Sequence, residues 1–284
     1  MGFLKVWKLP LFRSIVNSNK WKSILNFIGV FYYIIMILIA ATLEWFVILP
    51  ELSHKLDFSI GKHRLFLLYL LINGIGNYLL AALRDIHWKK SWNKKKRLTA
   101  EPFRSHHCKL CNVCVLKHDH HCFIIGKCIG YHNQKHFIIF NMYTMLLSLY
   151  GLITLATYMH LAFKMEFAGA LTFFTLFATS FMAWSQGSIG FPQVSLVLLL
   201  YICLMSTLAS FGFLAWELTI TSMGLTTHEM MNGTKGTNTS IRENFKDVFG
   251  QYWILGLFVP LPLPQYGTGC YEYVMRKPNR KHDS

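Results

Sequence analysis

Four long apolar runs dominate the pattern of hydrophobic and polar positions along the chain. Each contains at most one charged residue, and they extend over Ser23–Leu49, Leu65–Leu83, Phe137–Phe163 and Val194–Thr221. A helix of about 20 apolar residues crosses a hydrocarbon core of about 30 Å. The pattern therefore predicts an all-α integral membrane protein with four transmembrane helices.

A fifth apolar run, Ala168–Trp184, is shorter and precedes a segment with glycine and proline. Lys and Arg mark the cytoplasmic segments of membrane proteins. Twelve of the 28 Lys and Arg residues lie between Arg84 and Lys135, whereas the stretch from Lys164 to Val194 contains only Lys164. Both termini and the basic segment are thus expected in the cytoplasm, which requires an even number of spans. We therefore expect the fifth run to be re-entrant or interfacial.

Four segments follow from this pattern. They are a basic N-terminal arm with helices one and two (1–83), a cytoplasmic Cys/His-rich module (84–136), helices three and four with the intervening lumenal or re-entrant insert (137–221), and a cytoplasmic tail (222–284). The net charge of +15 agrees with this topology, because basic loops beside membrane spans contact the anionic leaflet. A nucleic-acid partner is not expected.

The module concentrates the candidate chemistry, because five of the seven cysteines lie between its residues 108 and 128. Cysteines separated by two residues suit zinc, which takes four ligands in a structural site. The predicted ligands of one Zn²⁺ ion are Cys108, Cys111, His121 and Cys128. This choice leaves Cys122 outside the site, and His107 with Cys114 remain as half of a second site.

The sequence Asp119-His120-His121-Cys122 adds a possible nucleophile to the module. A thiol attacks as its thiolate, an imidazole can take the proton, and a carboxylate can orient the imidazole and stabilise its cation. At a membrane surface, a lipid-derived acyl group is the expected electrophile. A zinc-bearing scaffold without catalysis remains the alternative at this point.

Three separated motifs make most of the chain resemble the DHHC family of protein S-acyltransferases. Within the module, the matching positions read Arg104-Ser-His106-His107-Cys108-x2-Cys111-x2-Cys114-Val-Leu-Lys-x-Asp119-His120-His121-Cys122-x5-Cys128-Ile-Gly130-x2-Asn133-x3-Phe137. After the last helix, Thr226-Thr227-x-Glu229 and Asn244-x4-Phe249-Gly250 match two further family motifs. The layout of four helices, with the module between the second and the third, is also similar.

The resemblance implies a two-step transfer of a long-chain acyl group from acyl-CoA to cysteines of membrane-associated substrate proteins. Cys122 would attack the thioester, His120 would act as the base, and Asp119 would orient His120. The acyl tail would lie in a cavity among the helices, and the membrane would be that of the endoplasmic reticulum or Golgi. Four basic residues are candidates for binding the CoA phosphates, with a solvated or lipid-facing surface as the alternative: Arg104, His106, Lys127 and Lys135.

The chain departs from the family pattern at four places. Lys94 and Arg97 occupy the positions of two zinc-binding cysteines, so the first zinc site is expected to be empty or completed by His87 or Glu101. The other three departures are Phe123-Ile124 in place of Pro-Trp, Arg84-Asp85-Ile86 in the region of an expected Asp-Pro-Gly, and the longer insert Ala168–Trp184. Because of these departures, two alternatives to an independently active enzyme stay open. The first is an enzyme that needs an accessory subunit, and the second is a non-catalytic membrane adaptor.

Overall fold

The computed structural model describes residues 19–86, 104–167, 169–234 and 240–262. The two lysine and arginine substitutions of the first zinc site, Lys94 and Arg97, lie outside the described residues, as do the substitute ligands His87 and Glu101. In chain order the helices are α1 (Asn19–Leu43), a π-helical turn (Glu44–Ile48), α2 (Leu49–Leu56), α3 (Ile60–Leu83), α4 (Gln134–Phe163), α5 (Ala170–Ser185), α6 (Phe191–Ser222), α7 (Thr227–Met231), α8 (Ile241–Phe249) and α9 (Trp253–Phe258).

Four helical segments within the described residues are long and apolar enough to cross a membrane, namely Trp21–Leu56, Ile60–Leu83, Gln134–Phe163 and Phe191–Ser222. They confirm the predicted four-helix membrane fold, with the Cys/His module between the second and the third. Helix α5 covers most of the fifth apolar run with 16 residues. At 1.5 Å per residue it is about 24 Å long, less than the hydrocarbon core of about 30 Å. Its re-entrant or interfacial placement stays a prediction.

The chain forms two compact units, whose boundaries fall inside the long helices. One unit, Ile35–Gly76 with Ile139–Ala215, is built around an apolar core that includes Ile48, Leu155, Met159, Val197 and Leu200. The other contains the described parts of residues 1–34, 77–138 and 216–284, and it holds the Cys/His module. These units do not test the division of the sequence into four segments, which stays a prediction.

Two short antiparallel hairpins form the module. Strand β1 (Ser105–Cys108) pairs with β2 (Val113–Leu116), and β3 (His120–Cys122) pairs with β4 (Lys127–Ile129). Strands of three or four residues are too short to show the alternation that predicts a strand from sequence. The hydrophobic pattern therefore did not predict the hairpins, and it predicted helices alone.

Asn133 joins the module to the helices on either side of it. Its side chain is fully buried, accepts the N–H of Gly130 at 2.9 Å, and donates to the carbonyls of Ala81 at 2.9 Å and Cys128 at 3.0 Å. A Cβ on Gly130 would lie 2.7 Å from Cγ1 of Val115. The glycine and asparagine of the module motif therefore let the two hairpins pack closely and fix β4 to the end of α3.

The tail after α6 docks back on the same unit. Asn244 of α8 donates from Nδ2 to the carbonyl of Ser222 at 2.9 Å, and Asp247 pairs with the buried Lys117 at 2.7 Å. Phe249 is buried, and Gly250 ends the helix at a φ of 79°, a left-handed conformation that glycine adopts without strain. The motif Asn-x4-Phe-Gly thus anchors the tail.

Candidate active site and metal centre

Residues 119–122, the tetrad Asp119-His120-His121-Cys122, were expected to serve both metal binding and catalysis, and the alternation of strand β3 separates these two functions. Successive side chains of a strand point to opposite faces. His120 and Cys122 consequently share one face of β3, and His121 lies on the other. The register pairs His121 with Cys128 of β4, which brings these two predicted metal ligands together.

The structure gathers all four predicted ligands of the zinc site into one cluster: Cys108, Cys111, His121 and Cys128, whose ligand atoms lie within 4.8 Å of one another. Nδ1 of His121 is 3.4 Å from Sγ of Cys111 and 3.5 Å from Sγ of Cys128. Its other ring nitrogen, Nε2, is 2.9 Å from Oδ1 of Asn26, to which it donates as an N–H. A partner of this kind fixes the ring and leaves the opposite nitrogen for the metal.

The electrostatics of the cluster also suit a cation. The hydrogen bond with Cys128, and further contact with His121, lower the pKa of Cys111 to about 4, although burial opposes the shift. The same contact with Cys111, together with burial, raises the pKa of Cys128. Three thiolates this close repel one another without a cation, and three sulfurs with one imidazole are a common ligand set of structural zinc. The cluster can therefore hold a metal ion.

The predicted half-site has a different composition. His107 and Cys114 face each other across the β1–β2 hairpin, with Nδ1 and Sγ 3.5 Å apart. Among the described residues, the groups of three or more potential metal ligands do not include this pair. The completion of the half-site stays a prediction.

Asp119 and His120 form the buried part of the candidate active site. Asp119 is 2% exposed, its Oδ2 accepts the N–H of His120 Nδ1 at 2.7 Å, and its Oδ1 accepts the backbone N–H of Thr227. Burial by itself would raise the pKa of Asp119, but hydrogen bonds from His120 and Glu217 lower it to about 2. Burial opposes protonation of His120, yet its bonds to Asp119 and Cys122 raise its pKa to about 10. The arrangement keeps Asp119 ionised and stabilises a cationic His120.

Glu217 is a member of this site that the sequence interpretation missed. It lies near the end of α6, is 1% exposed, and accepts Nε2–H of Gln134 at 3.3 Å through Oε2. Its Oε1 is 3.9 Å from Nδ1 of His120, and its hydrogen bond with Asp119 requires one of the two carboxyls to carry a proton. A lone acidic residue in a membrane span is a signal of function, and that signal was available in the sequence.

The motif Thr226-Thr227-x-Glu229 has three structural tasks. It forms a capping box at the start of α7, in which Oγ1 of Thr226 accepts Glu229 N–H at 3.3 Å and the Glu229 carboxylate accepts Thr226 N–H at 2.9 Å. The same carboxylate forms a two-bond pair with the buried guanidinium of Arg104, both bonds 2.5 Å long. The third task is the N–H of Thr227 that reaches Asp119. The motif therefore positions the carboxylate of Asp119, the candidate for orienting His120.

The four basic residues predicted for the CoA phosphates lie in different settings. Arg104 also donates to the carbonyl of Gly224 at 3.0 Å, so its guanidinium is engaged on two sides. Lys127 donates to the carbonyl of Arg84 at 3.0 Å, and burial lowers its pKa. Lys135 is buried on α4, and the ring of His106 lies beside other histidines. Binding of CoA by these four residues stays a prediction.

The two residues after the nucleophile candidate present apolar surface. Phe123 is 37% and Ile124 is 38% exposed. Their backbone is held by Tyr78, which donates its hydroxyl to the carbonyl of Ile124 at 3.1 Å, and by Gly29, where a Cβ would lie 2.6 Å from the carbonyl oxygen of Phe123. The replacement of Pro-Trp therefore leaves an apolar, backbone-anchored turn directly after Cys122.

Comparisons with known proteins agree with this site. The sequence model of the family described as DHHC palmitoyltransferase matches residues 86–234. The chain is 30% identical over 246 residues to the human palmitoyltransferase ZDHHC22, across 84% of this chain and 93% of the human protein. It is 32% identical over 278 residues to ZDHHC22 of Danio rerio, across 92% and 99% of the two chains. Human ZDHHC3 is 28% identical over 192 residues, across 63% and 56% of the two chains.

Proposed function

The chain belongs to the DHHC palmitoyltransferase family and is a protein-cysteine S-palmitoyltransferase, and on this premise we propose that Cys122 carries the acyl group, with His120 as its base and Asp119 as the residue that orients His120. One observation carries the assignment. His120 and Cys122 share a face of β3, and Nδ1 of His120 is fixed by Asp119 at 2.7 Å. Nε2 is then the ring nitrogen that can exchange a proton with the thiol.

The first step loads the enzyme. His120 holds the proton of the Cys122 thiol as an imidazolium beside Asp119, and the thiolate of Cys122 attacks the carbonyl carbon of the palmitoyl-CoA thioester. The new C–S bond to Cys122 forms, the bond to the CoA sulfur breaks, and the proton on His120 passes to the departing thiolate. Asp119 stabilises the imidazolium throughout, because its carboxylate remains ionised beside the ring.

The second step reverses these roles. A cysteine thiol of a membrane-associated protein gives its proton to His120 and attacks the acyl-Cys122 thioester. The acyl group moves to the substrate sulfur, and the proton returns to the Cys122 sulfur. Since the thioester exchanged in both steps has the same chemistry, one base at one position serves both.

We assign Zn²⁺ to the cluster of Cys108, Cys111, His121 and Cys128, since three sulfurs and one oriented imidazole fit that ion. A bound zinc ion with four protein ligands supplies folding energy rather than a reactive water. Two of the ligands, His121 and Cys128, are register partners in the β3–β4 hairpin that carries the nucleophile. The cluster thereby fixes the strand on which His120 and Cys122 lie.

The placement in the cell is part of the proposal. The concentration of Lys and Arg in the arm, the module and the tail supports a cytoplasmic location for all three, in the membrane of the endoplasmic reticulum or Golgi. Phe123 and Ile124 are exposed and apolar, so they are suited to a position at the membrane–water interface, where acyl-CoA partitions. Burial of the apolar acyl chain contributes about 0.8 kcal/mol per methylene to the binding free energy of acyl-CoA.

The test is a transfer assay with purified protein in detergent. Palmitoyl-CoA and a membrane-bound peptide with one cysteine are supplied, and release of CoA and acylation of the peptide are both measured. We expect transfer by the wild type and by Cys203→Ser, a control in α6, and a rate about 10²–10⁴-fold lower in His120→Gln. Undiminished transfer by Cys122→Ser would refute the assignment. Transfer that appears only after membrane extract is added would show that an accessory subunit is required.

A further inference from the structure

Helix α8 has two faces with different surroundings. Asn244 and Val248 are buried on the face that docks against the rest of the unit. Arg242, Phe245 and Phe249 follow one another at spacings of three and four residues, which places them together on the opposite face. This second face lines a groove.

The groove encloses about 970 Å³ between this face, the short helix α9 and the end of α6. Phe245 and Phe249 form one wall, with ring planes 7° apart and ring centroids separated by 6.0 Å. Trp253 and Leu257 of α9 and Leu218 of α6 contribute further apolar lining. Sites for small-molecule ligands have volumes of about 300–1,000 Å³, so the groove is large enough for part of a lipid molecule.

Two exposed cations lie beside the apolar lining. Arg242 and Lys246 both line the groove, and because they are four residues apart on α8 their side chains are neighbours on the helix surface. Neither forms an ion pair with a described residue. Glu243 also lines the groove, but its carboxylate accepts the N–H of Ser240 at 3.2 Å, at the positive end of the helix. The groove therefore combines apolar walls with cations that suit a phosphate.

The groove begins where a membrane span ends. Leu218 is one turn before the end of α6, a segment long and apolar enough to cross a membrane. On α9, Trp253 is 48% and Phe258 is 59% exposed, and no charged residue occurs between Gln251 and Pro262. A contiguous apolar surface beside a membrane span is suited to contact with the lipid interface.

We propose that this groove binds one anionic phospholipid of the cytoplasmic leaflet. An acyl chain of the lipid lies against Phe245, Phe249 and Trp253, and its phosphate contacts Arg242 and Lys246. Charge favours this occupant, because the cytoplasmic leaflet contains anionic lipids that attract basic segments beside a span. The site is separate from acyl transfer, although it relies on the cytoplasmic placement of the tail proposed above.

A lipid in the groove would connect the module to the membrane surface. The docked face of α8 carries Asp247, which pairs with Lys117 of the module at 2.7 Å. It also carries Asn244, which bonds the carbonyl of Ser222 at the end of α6. A ligand held on the other face of the same helix stabilises this docking, so we expect the Tm of the protein to rise when anionic lipid is added.

The experiment measures lipid binding by native mass spectrometry. Delipidated full-length protein is titrated with phosphatidylserine and, separately, with phosphatidylcholine that has the same acyl chains. We expect one tightly bound phosphatidylserine per chain, and binding about 10- to 30-fold weaker in Arg242→Gln/Lys246→Gln, which loses two cations beside the phosphate. The matched control is Lys62→Gln/Lys164→Gln, which removes two exposed cations outside the groove and should bind the lipid as the wild type does.

Four results would overturn the proposal. The first two are equal affinity for the two lipids and unchanged binding of phosphatidylserine by Arg242→Gln/Lys246→Gln. The third is displacement of phosphatidylserine from Cys122→Ser by palmitoyl-CoA, which would assign the groove to the substrate. The fourth is binding of phosphatidylserine only after removal of residues 263–284, which would show that the end of the chain itself occupies the groove.

Discussion

The backbone N–H of Thr227 donates a hydrogen bond to Oδ1 of Asp119, although the two residues are 108 positions apart in the chain. The bond joins the start of α7 to the tetrad. Oδ2 of the same carboxylate holds His120, so the two oxygens of Asp119 have separate partners. The geometry of the pair of Asp119 and His120 therefore depends on a segment that follows the last membrane helix.

Thr227→Pro removes this N–H, and proline is compatible with helix α7 at this position. Thr227 is the first residue of α7, a position where proline is tolerated, and the preceding Thr226 has the extended backbone that proline favours, with φ of −110° and ψ of 162°. We expect self-acylation to slow about tenfold or more, since a charge-assisted hydrogen bond contributes about 1.5–3 kcal/mol. The measurement is single-turnover labelling with palmitoyl-CoA.

Thr227→Ala is the matched control for the proline variant. It keeps the N–H and loses only the hydroxyl, which accepts Nε1–H of Trp216 at 3.0 Å. We expect a rate within about threefold of the wild type, because a neutral, exposed hydrogen bond contributes about 0.5–1.5 kcal/mol at most. Equal loss in the alanine and proline variants would show that the hydroxyl, rather than the N–H, supports Asp119.

Glu217 is expected to act as a hydrogen-bond donor to Asp119. Glu217→Gln keeps a donor of the same shape, whereas Glu217→Leu removes it and leaves a buried carboxylate with one partner fewer. We predict that Gln retains most of the single-turnover rate and that Leu loses about tenfold or more, the effect of about 1.4 kcal/mol on a barrier. If Gln is as impaired as Leu, the charge of Glu217 is what the site requires.

A variant of Arg104 can distinguish a structural role of its pair with Glu229 from a role in binding the CoA phosphates. Both side chains are nearly buried, 7% and 11% exposed, and loss of one partner in a buried pair costs about 3–5 kcal/mol. Arg104→Lys cannot form both bonds, so we expect a lower Tm with a similar KM for palmitoyl-CoA. A raised KM with an unchanged Tm would favour the phosphate-binding role predicted from the sequence.

Gly29 allows α1 to approach the turn after the nucleophile. A Cβ at this position would meet the carbonyl oxygen of Phe123 at 2.6 Å, a backbone atom that cannot swing aside. We expect Gly29→Ala to reduce self-acylation and Tm together, by a steric cost of about 1–3 kcal/mol. Gly61→Ala is the matched control, because nothing lies within 4 Å of the position that its added methyl group would take, and it should keep both properties.

The parts of the site that are close together in sequence were predictable. The spacing of cysteines in the module identified the four residues that the structure gathers into the metal cluster. The alternation of a single strand then explains why His121 lies in that cluster while His120 lies beside Cys122. Short-range spacing carries this information because the hairpins are only a few residues long.

The remaining members depend on contacts between distant segments. Glu217 appears in the sequence as one acid in an apolar run, and nothing in its neighbours shows that it faces Asp119. The N–H of Thr227 is a backbone group that every residue except proline has, so the sequence does not indicate its role.

The most direct test of the account is the site of acylation. Purified wild type, Cys122→Ser and Asp119→Asn are incubated with palmitoyl-CoA for a single turnover, and intact mass and peptide mapping are measured before and after treatment with hydroxylamine. We predict one hydroxylamine-labile palmitoyl group on Cys122 in the wild type, a much slower appearance of the same group in Asp119→Asn, and none in Cys122→Ser. A labile acyl group that remains in Cys122→Ser, or that maps to another cysteine in the wild type, would contradict the account.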